Sequence, residues 1–228
     1  MRIILSDTEA PVEQVGYNVS RVVSCQWRKS MVSMIDPTKG IFLPARHCWS
    51  PNRDARPSGV GLDLIVVHGI SLPPGVFGSE WVEALFMNRI PETHPDPVLR
   101  SVSKLRVSAH LFIDRWGRIV QYVPFVERAW HAGASFWKGR EQCNDFSVGI
   151  ELEGTDEQAY ESGQYQSLAV SIRALWDVYP SLASGDLVGH SEIAPGRKTD
   201  PGPAFDWSRL QQTLEDGITS FEPSVPSS

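Results

Sequence analysis

Leu64-Ile65-Val66-Val67-His68 decides how the rest of the chain is read. Four branched aliphatic residues in a row, bounded upstream by turn chemistry, predict a strand buried on both faces that carries an imidazole at its tip. The turn chemistry is Ser50 to Gly61, dense in Pro, Gly, Asn and Asp. A second strand is read from Phe146-Ser147-Val148-Gly149-Ile150-Glu151-Leu152-Glu153-Gly154, where Phe146, Val148, Ile150 and Leu152 share one face and Ser147, Gly149, Glu151 and Glu153 the other. Glu151 thus lies on the face opposite the core. It is a base if a site covers that face and a solvent-facing strand glutamate if none does, and alternation alone leaves both open.

Further elements follow outward from these two. Val107 to Ile113 and Arg118 to Val123, joined by Asp114-Arg115-Trp116-Gly117, predict an antiparallel hairpin, with His110 packed inside it. Tyr165, Leu168, Ala169, Ile172, Leu175, Trp176 and Tyr179 recur at helical spacing and predict an amphipathic helix over 164–179, stopped by Pro180. Ser79 is read as the cap of a helix from Glu80 to about Asn88, and Asp206 as the cap of one from Trp207 to about Asp216. Leu187-Val188-Gly189 is a short strand, and residues 91–104, with Pro91, Pro95 and Pro97, an irregular surface excursion carrying a solvated His94. Strands alternating with helices, plus one hairpin, predict an α/β fold: a single domain with a central mixed β-sheet flanked by helices. We expect it over residues 41–216, after an appendage at 1–40 and before a tail at 217–228. Met31 and Met34 are alternative starts of translation within the appendage.

At 228 residues and 41% hydrophobic content the chain suffices for one sizeable core. Its formal net charge of -6 and scattered basic residues argue against nucleic acid as a partner. No run approaches the roughly 18 apolar residues of a membrane span, and the N-terminal apolar run is too short for a signal peptide, which predicts a cytoplasmic protein without a membrane partner. Cys25, Cys48 and Cys143 are odd in number and widely spaced, as reduced thiols are.

The chemistry concentrates in Gly189-His190-Ser191-Glu192-Ile193-Ala194-Pro195-Gly196-Arg197-Lys198-Thr199-Asp200-Pro201-Gly202-Pro203, whose glycines and prolines exclude a continuous helix and predict a fixed loop. His190 and Asp200 offer two of the three protein ligands a catalytic zinc takes, and His68 offers the third. Two histidines and one carboxylate leave a fourth position for water. The residue types alone equally allow packed histidines and a capping aspartate.

Seven ordered blocks resemble the N-acetylmuramoyl-L-alanine amidase 2 family. They are Val66-Val67-His68, Ile70 to Gly75, Leu105 to His110, Arg128-Ala129-Trp130-His131-Ala132-Gly133, Cys143 to Ser147, Gly149 to Asp156 and Arg197 to Pro203, and the resemblance runs from about Ser50 to about Leu210. The resemblance implies a fold shared with peptidoglycan-recognition proteins and one zinc ion held by His68, His190 and Asp200. It also implies Glu151 and Lys198 at the catalytic positions. Aspartate as third ligand, where other branches carry cysteine, points to the cytoplasmic branch acting on 1,6-anhydro-N-acetylmuramyl peptides. The implied reaction is hydrolysis of the amide between the muramyl lactyl group and L-alanine, in cell-wall recycling, with muropeptides as the partner.

In that setting Glu151 passes the proton of water to the leaving amine and Lys198 offsets the developing negative charge. Arg106 is expected to pair with a peptide carboxylate, and Trp130 and His131 to line the sugar or peptide cleft. Two positions depart from the branch: Gly69 stands where it has asparagine, and Gln142 where it has an arginine implied to hold the stem carboxylate. The competing readings are a non-catalytic module recognising cell-wall fragments and a zinc hydrolase of another amide.

Overall fold

The computed structural model describes residues 33–216. The expectations placed on residues 1–32, including Cys25 and a start at Met31, and on the tail 217–228 lie outside the described residues. In chain order the strands are β1 (Ile35–Asp36), β2 (Ile41–Phe42), β3 (Arg46–His47), β4 (Arg53–Ala55), β5 (Leu64–Ile70), β6 (Leu111–Ile113), β7 (Ile119–Gln121), β8 (Glu127–Ala129), β9 (Phe136–Trp137), β10 (Arg140–Glu141), β11 (Ser147–Glu153) and β12 (Asp186–Gly189). The helices are α1 (Trp81–Phe86), α2 (Pro97–Val102), α3 (Ser162–Val178), α4 (Pro180–Ala183), α5 (His190–Ile193) and α6 (Trp207–Asp216).

Six strands form the central sheet in the order β12-β5-β11-β6-β7-β3. β12, β5, β11 and β6 run parallel, whereas β6 and β7 form the antiparallel hairpin read from the sequence, so the sheet is mixed. The parallel strands explain the composition of Leu64 to Val67: both faces are covered, and all four side chains are fully buried. Ile65, Val67, Val148, Ile150 and Leu152 face a large apolar cluster that includes Leu168, Ile172 and Leu175 of α3 and Leu210 and Leu214 of α6. Leu64 and Val66 face a separate cluster with Phe146, Val188 and Ile193. Alternation therefore places His68 on the face away from α3, and the register opposes His68 to Glu151 and Val67 to Gly189. The residue after β12, His190, arrives beside His68. Three site side chains thus meet at the carboxyl ends of adjacent parallel strands, where open α/β sheets bind ligands.

Some expectations need correction. Residues 33–40 are not an appendage: Ile35 is fully buried in the main cluster, and the Gly40 carbonyl accepts from Phe125 N–H (2.9 Å) and Gln121 Nε2 (2.8 Å). The excursion at 91–104 contains helix α2, capped by Asp96, whose Oδ1 accepts from Val98 N–H at 2.8 Å, with Pro97 in the first turn where its missing donor costs nothing. Ser79 is a brace beside α1; its hydroxyl donates to the Leu72 carbonyl at 2.6 Å, and Glu80 occupies the cap. The amphipathic helix α3 and the terminal helix α6 stand where their periodicity and caps place them.

Candidate metal centre and active site

The loop after β12 starts with a single turn of helix. Gly189 N–H donates to the Glu192 carboxylate at 2.6 Å, which pins this turn and with it the direction of His190. The chain then reverses, and Ser191 N–H donates to the Asp200 carbonyl (3.0 Å), so the two ends of the stretch are tied together. Behind Asp200, the Tyr160 hydroxyl donates to the Pro201 carbonyl at 3.0 Å. A Cβ on Gly69 would lie 2.3 Å from that hydroxyl oxygen. Tyr160 thus fills the space a side chain at position 69 would need.

His68 Nδ1, His190 Nδ1 and Asp200 Oδ2 form a triangle with sides of 2.9, 3.0 and 3.2 Å. Zinc bonds of about 2.0–2.1 Å in tetrahedral array put ligand atoms about 3.3–3.4 Å apart, close to these separations. His190 Nε2 faces the Ala132 carbonyl at 3.2 Å, so the proton sits on Nε2 and the Nδ1 lone pair points into the triangle. A lone pair facing a second imidazole nitrogen and a carboxylate is resolved by a cation. These three are the only such group of His, Cys, Asp and Glu among the described residues.

Electrostatics fit the same reading. Burial lowers His68 to about 4, keeping it neutral as a ligand must be. Burial alone would raise Asp200, but the facing imidazoles of His190 and His68 outweigh it and hold the carboxyl below the usual range. Glu151 lies next to His68, with Oε1 at 4.0 Å from Nδ1, and burial followed by the Asp200 charge raises its carboxyl well above the usual range. Its Oε2 is buried with no hydrogen-bond partner among the described residues. Lys198 is exposed, and its charge acts on both Glu151 and His68.

The residues expected to contact substrate are placed as follows. His131 is buried with both ring nitrogens bonded inside the protein, to His68 and Ser147. Trp130 is half-buried, and its backbone N–H donates to the Ser108 hydroxyl at 3.0 Å. Arg106 is exposed, its guanidinium turned back to the carbonyls of Ser103 and Leu105. The sequence reading also missed Arg56, which donates to the carbonyls of Phe125, Asn144, Asp145 and Ser147 beneath the site. Its position in a turn-rich run concealed it.

A family profile described as Amidase_2, N-acetylmuramoyl-L-alanine amidase, matches residues 59–203. The chain belongs to this family. It is 56% identical over 174 residues to 1,6-anhydro-N-acetylmuramyl-L-alanine amidase AmpD of Escherichia coli (strain K12), covering 76% of this chain and 93% of the relative. A crystal structure of a selenomethionine AmpD derivative aligns with a TM-score of 0.76 at 52% identity, covering 81% of this chain and 99% of that one. The amidase AmiD of E. coli, solved with anhydro-N-acetylmuramic acid-L-Ala-D-gamma-Glu-L-Lys, aligns with a TM-score of 0.50 at 27% identity, covering 69% of this chain and 60% of that one. The chain is an amidase, a hydrolase of a carbon–nitrogen bond, in the α/β fold its motifs announced. Among the described residues no helix is long and apolar enough to cross a membrane.

Proposed function

We propose that the chain hydrolyses the amide joining the lactyl group of 1,6-anhydro-N-acetylmuramic acid to L-alanine in muropeptides, using one zinc ion held by His68, His190 and Asp200. The observation that carries this is the convergence of three donor atoms beside a buried Glu151 whose second oxygen has no partner among the described residues. The names of the amidase relatives, and the anhydromuramyl peptide in the AmiD complex, support the substrate class. We assign the activity to the unit running from the β1–β2 hairpin through α6.

When bound, zinc acts as a Lewis acid that lowers the pKa of water toward about 7 and polarises a carbonyl. The remaining roles fall to side chains. Glu151, whose burial raises its proton affinity, takes a proton from the attacking water and hands it to the nitrogen of L-alanine as the carbon–nitrogen bond breaks. Lys198 sets a positive charge against the oxygen that becomes negative as water adds. Asp200 and the two imidazoles stay fixed, held by the Tyr160 bond to the Pro201 carbonyl and the Gly189–Glu192 clasp. Arg106 and Trp130 remain our candidates for contacts to the peptide and sugar. Cys48 and Cys143 are free thiols, which supports a cytoplasmic setting.

Mass spectrometry of anhydro-N-acetylmuramyl tripeptide incubated with the protein tests the proposal. Free tripeptide should appear, vanish with a chelator and return with zinc. Binding without cleavage would instead make the chain a recognition module, and equal cleavage of plain peptides would make it a general amide hydrolase.

A further inference from the structure

A carbonyl oxygen can only accept a hydrogen bond, and one such oxygen, that of Cys143, sets the direction of a buried chain leading to the metal centre. The Ser147 hydroxyl donates its single proton to Cys143 O at 2.6 Å. Its oxygen therefore accepts from His131 Nε2, 3.1 Å away. With the proton on Nε2, the neutral His131 ring presents a bare Nδ1, which lies 2.9 Å from His68 Nε2 and takes the N–H of that ring. His68 is left with its lone pair on Nδ1, the atom in the ligand triangle.

The next residue does the same for the second imidazole, because the Ala132 carbonyl accepts from His190 Nε2. Residues 131 and 132 are pinned in turn: both backbone N–H groups donate to Asn144 Oδ1, at 3.1 and 2.8 Å. Gly149 makes room for the arrangement. A Cβ there would sit 2.4 Å from His131 Cγ and 2.5 Å from Nδ1, so the missing side chain on this face of β11 lets the imidazole lie against the strand.

We propose that His131 is a positioning residue which, directed by Ser147, fixes the tautomer and orientation of His68 and thereby sets the affinity of the centre for zinc. This rests on the zinc reading above. Partners of ligand imidazoles typically contribute roughly 10–100-fold to metal affinity.

The test is a zinc dissociation constant, measured by competition with a chromophoric chelator, for the purified parent and for His131→Phe, His131→Asn and Ser147→Ala, with thermal melts to confirm folding. His131→Phe keeps the ring shape without nitrogens and should bind zinc roughly 10–100-fold more weakly. His131→Asn keeps an acceptor near the Nδ1 position and should recover most of that loss, and Ser147→Ala should lose less than His131→Phe. Parental affinity in folded His131→Phe, or equal losses in the Phe and Asn variants, would overturn the proposal. Should His131→Phe not fold, Ser147→Ala decides, and unchanged affinity there overturns it. A parent that takes up no zinc defeats the metal reading and this proposal together, whereas a tight parent with unaltered variants defeats this proposal alone.

Discussion

Glu151 shares a strand face with Ser147, Gly149 and Glu153, and its register opposite His68 is the reason we propose it as the base. We expect Glu151→Ala to fold and bind zinc but to lose roughly 10²–10⁴-fold in turnover. Lys198→Ala should lose on the order of 3 kcal/mol of transition-state stabilisation, also with zinc retained. Steady-state rates and metal content of both variants check this, and near-parental rates in either would remove that residue from the mechanism. His110 makes a different prediction, about stability. It is buried, with Gly149 N–H donating to its Nδ1 at 3.0 Å, and Arg56 and His131 beside it. Burial, then the Arg56 charge, lowers it well below its ordinary 6.5. The unfolded chain therefore binds this proton first as pH falls, so its contribution to stability is complete above about 6.5 and is lost progressively below. In His110→Gln the slope of unfolding free energy against pH below this value should shrink by up to about 1.4 kcal/mol per pH unit. Urea titrations at several pH values would show it, and an unchanged slope would refute it. At this scale the convergence of His68, His190 and Asp200 was legible from motif order. His131 was not, because a histidine among small and aromatic residues reads as a cleft wall until its two bonding partners, far apart in sequence, are known.

Among elements, those built from local signals were legible. Helix α3 shows its buried stripe directly in the spacing of Tyr165, Leu168, Ile172 and Leu175, and α6 begins where Asp206 caps it, with Arg209 N–H bonded to its carboxylate at 2.9 Å. The β6–β7 hairpin is announced by Asp114 and Gly117; the aspartate Oδ1 accepts from Trp116 N–H and Arg118 N–H, each at 2.9 Å. Helix α2 was hidden by its own start, since Pro97 reads as a breaker unless Asp96 is recognised as the cap ahead of it. The hairpin of β1 and β2 was hidden because two-residue strands leave no periodicity. Gly117 offers a test of how the hairpin docks on α3. Its φ is +82°, a Cβ there would meet the Gly163 carbonyl oxygen at 2.7 Å, and its own carbonyl accepts from the Ser167 hydroxyl at 2.6 Å. Gly117→Ala should cost roughly 1–3 kcal/mol in urea denaturation, combining left-handed strain with a backbone clash. A loss of only a few tenths would mean that the turn yields freely.

For the molecule as a whole, the parallel part of the sheet collects the chemistry: β5 ends near His68, β11 carries Glu151 alongside it, and β12 leads into His190 and the loop that returns Asp200. One face of this sheet is sealed by α3 and α6, so the imidazoles and carboxylates gather on the other. The α/β class was legible from alternating elements, but the strand order was not, because neighbours such as β5 and β11 are far apart in sequence, with β6 to β10 between them. The account as a whole stands on one cation held by three protein atoms. Anomalous diffraction at the zinc edge, from crystals of the zinc-loaded protein, tests it most directly. We expect one peak about 2.0–2.2 Å from His68 Nδ1, His190 Nδ1 and an Asp200 oxygen, with no fourth protein ligand. A peak elsewhere, or one closed by a fourth protein group, would contradict it.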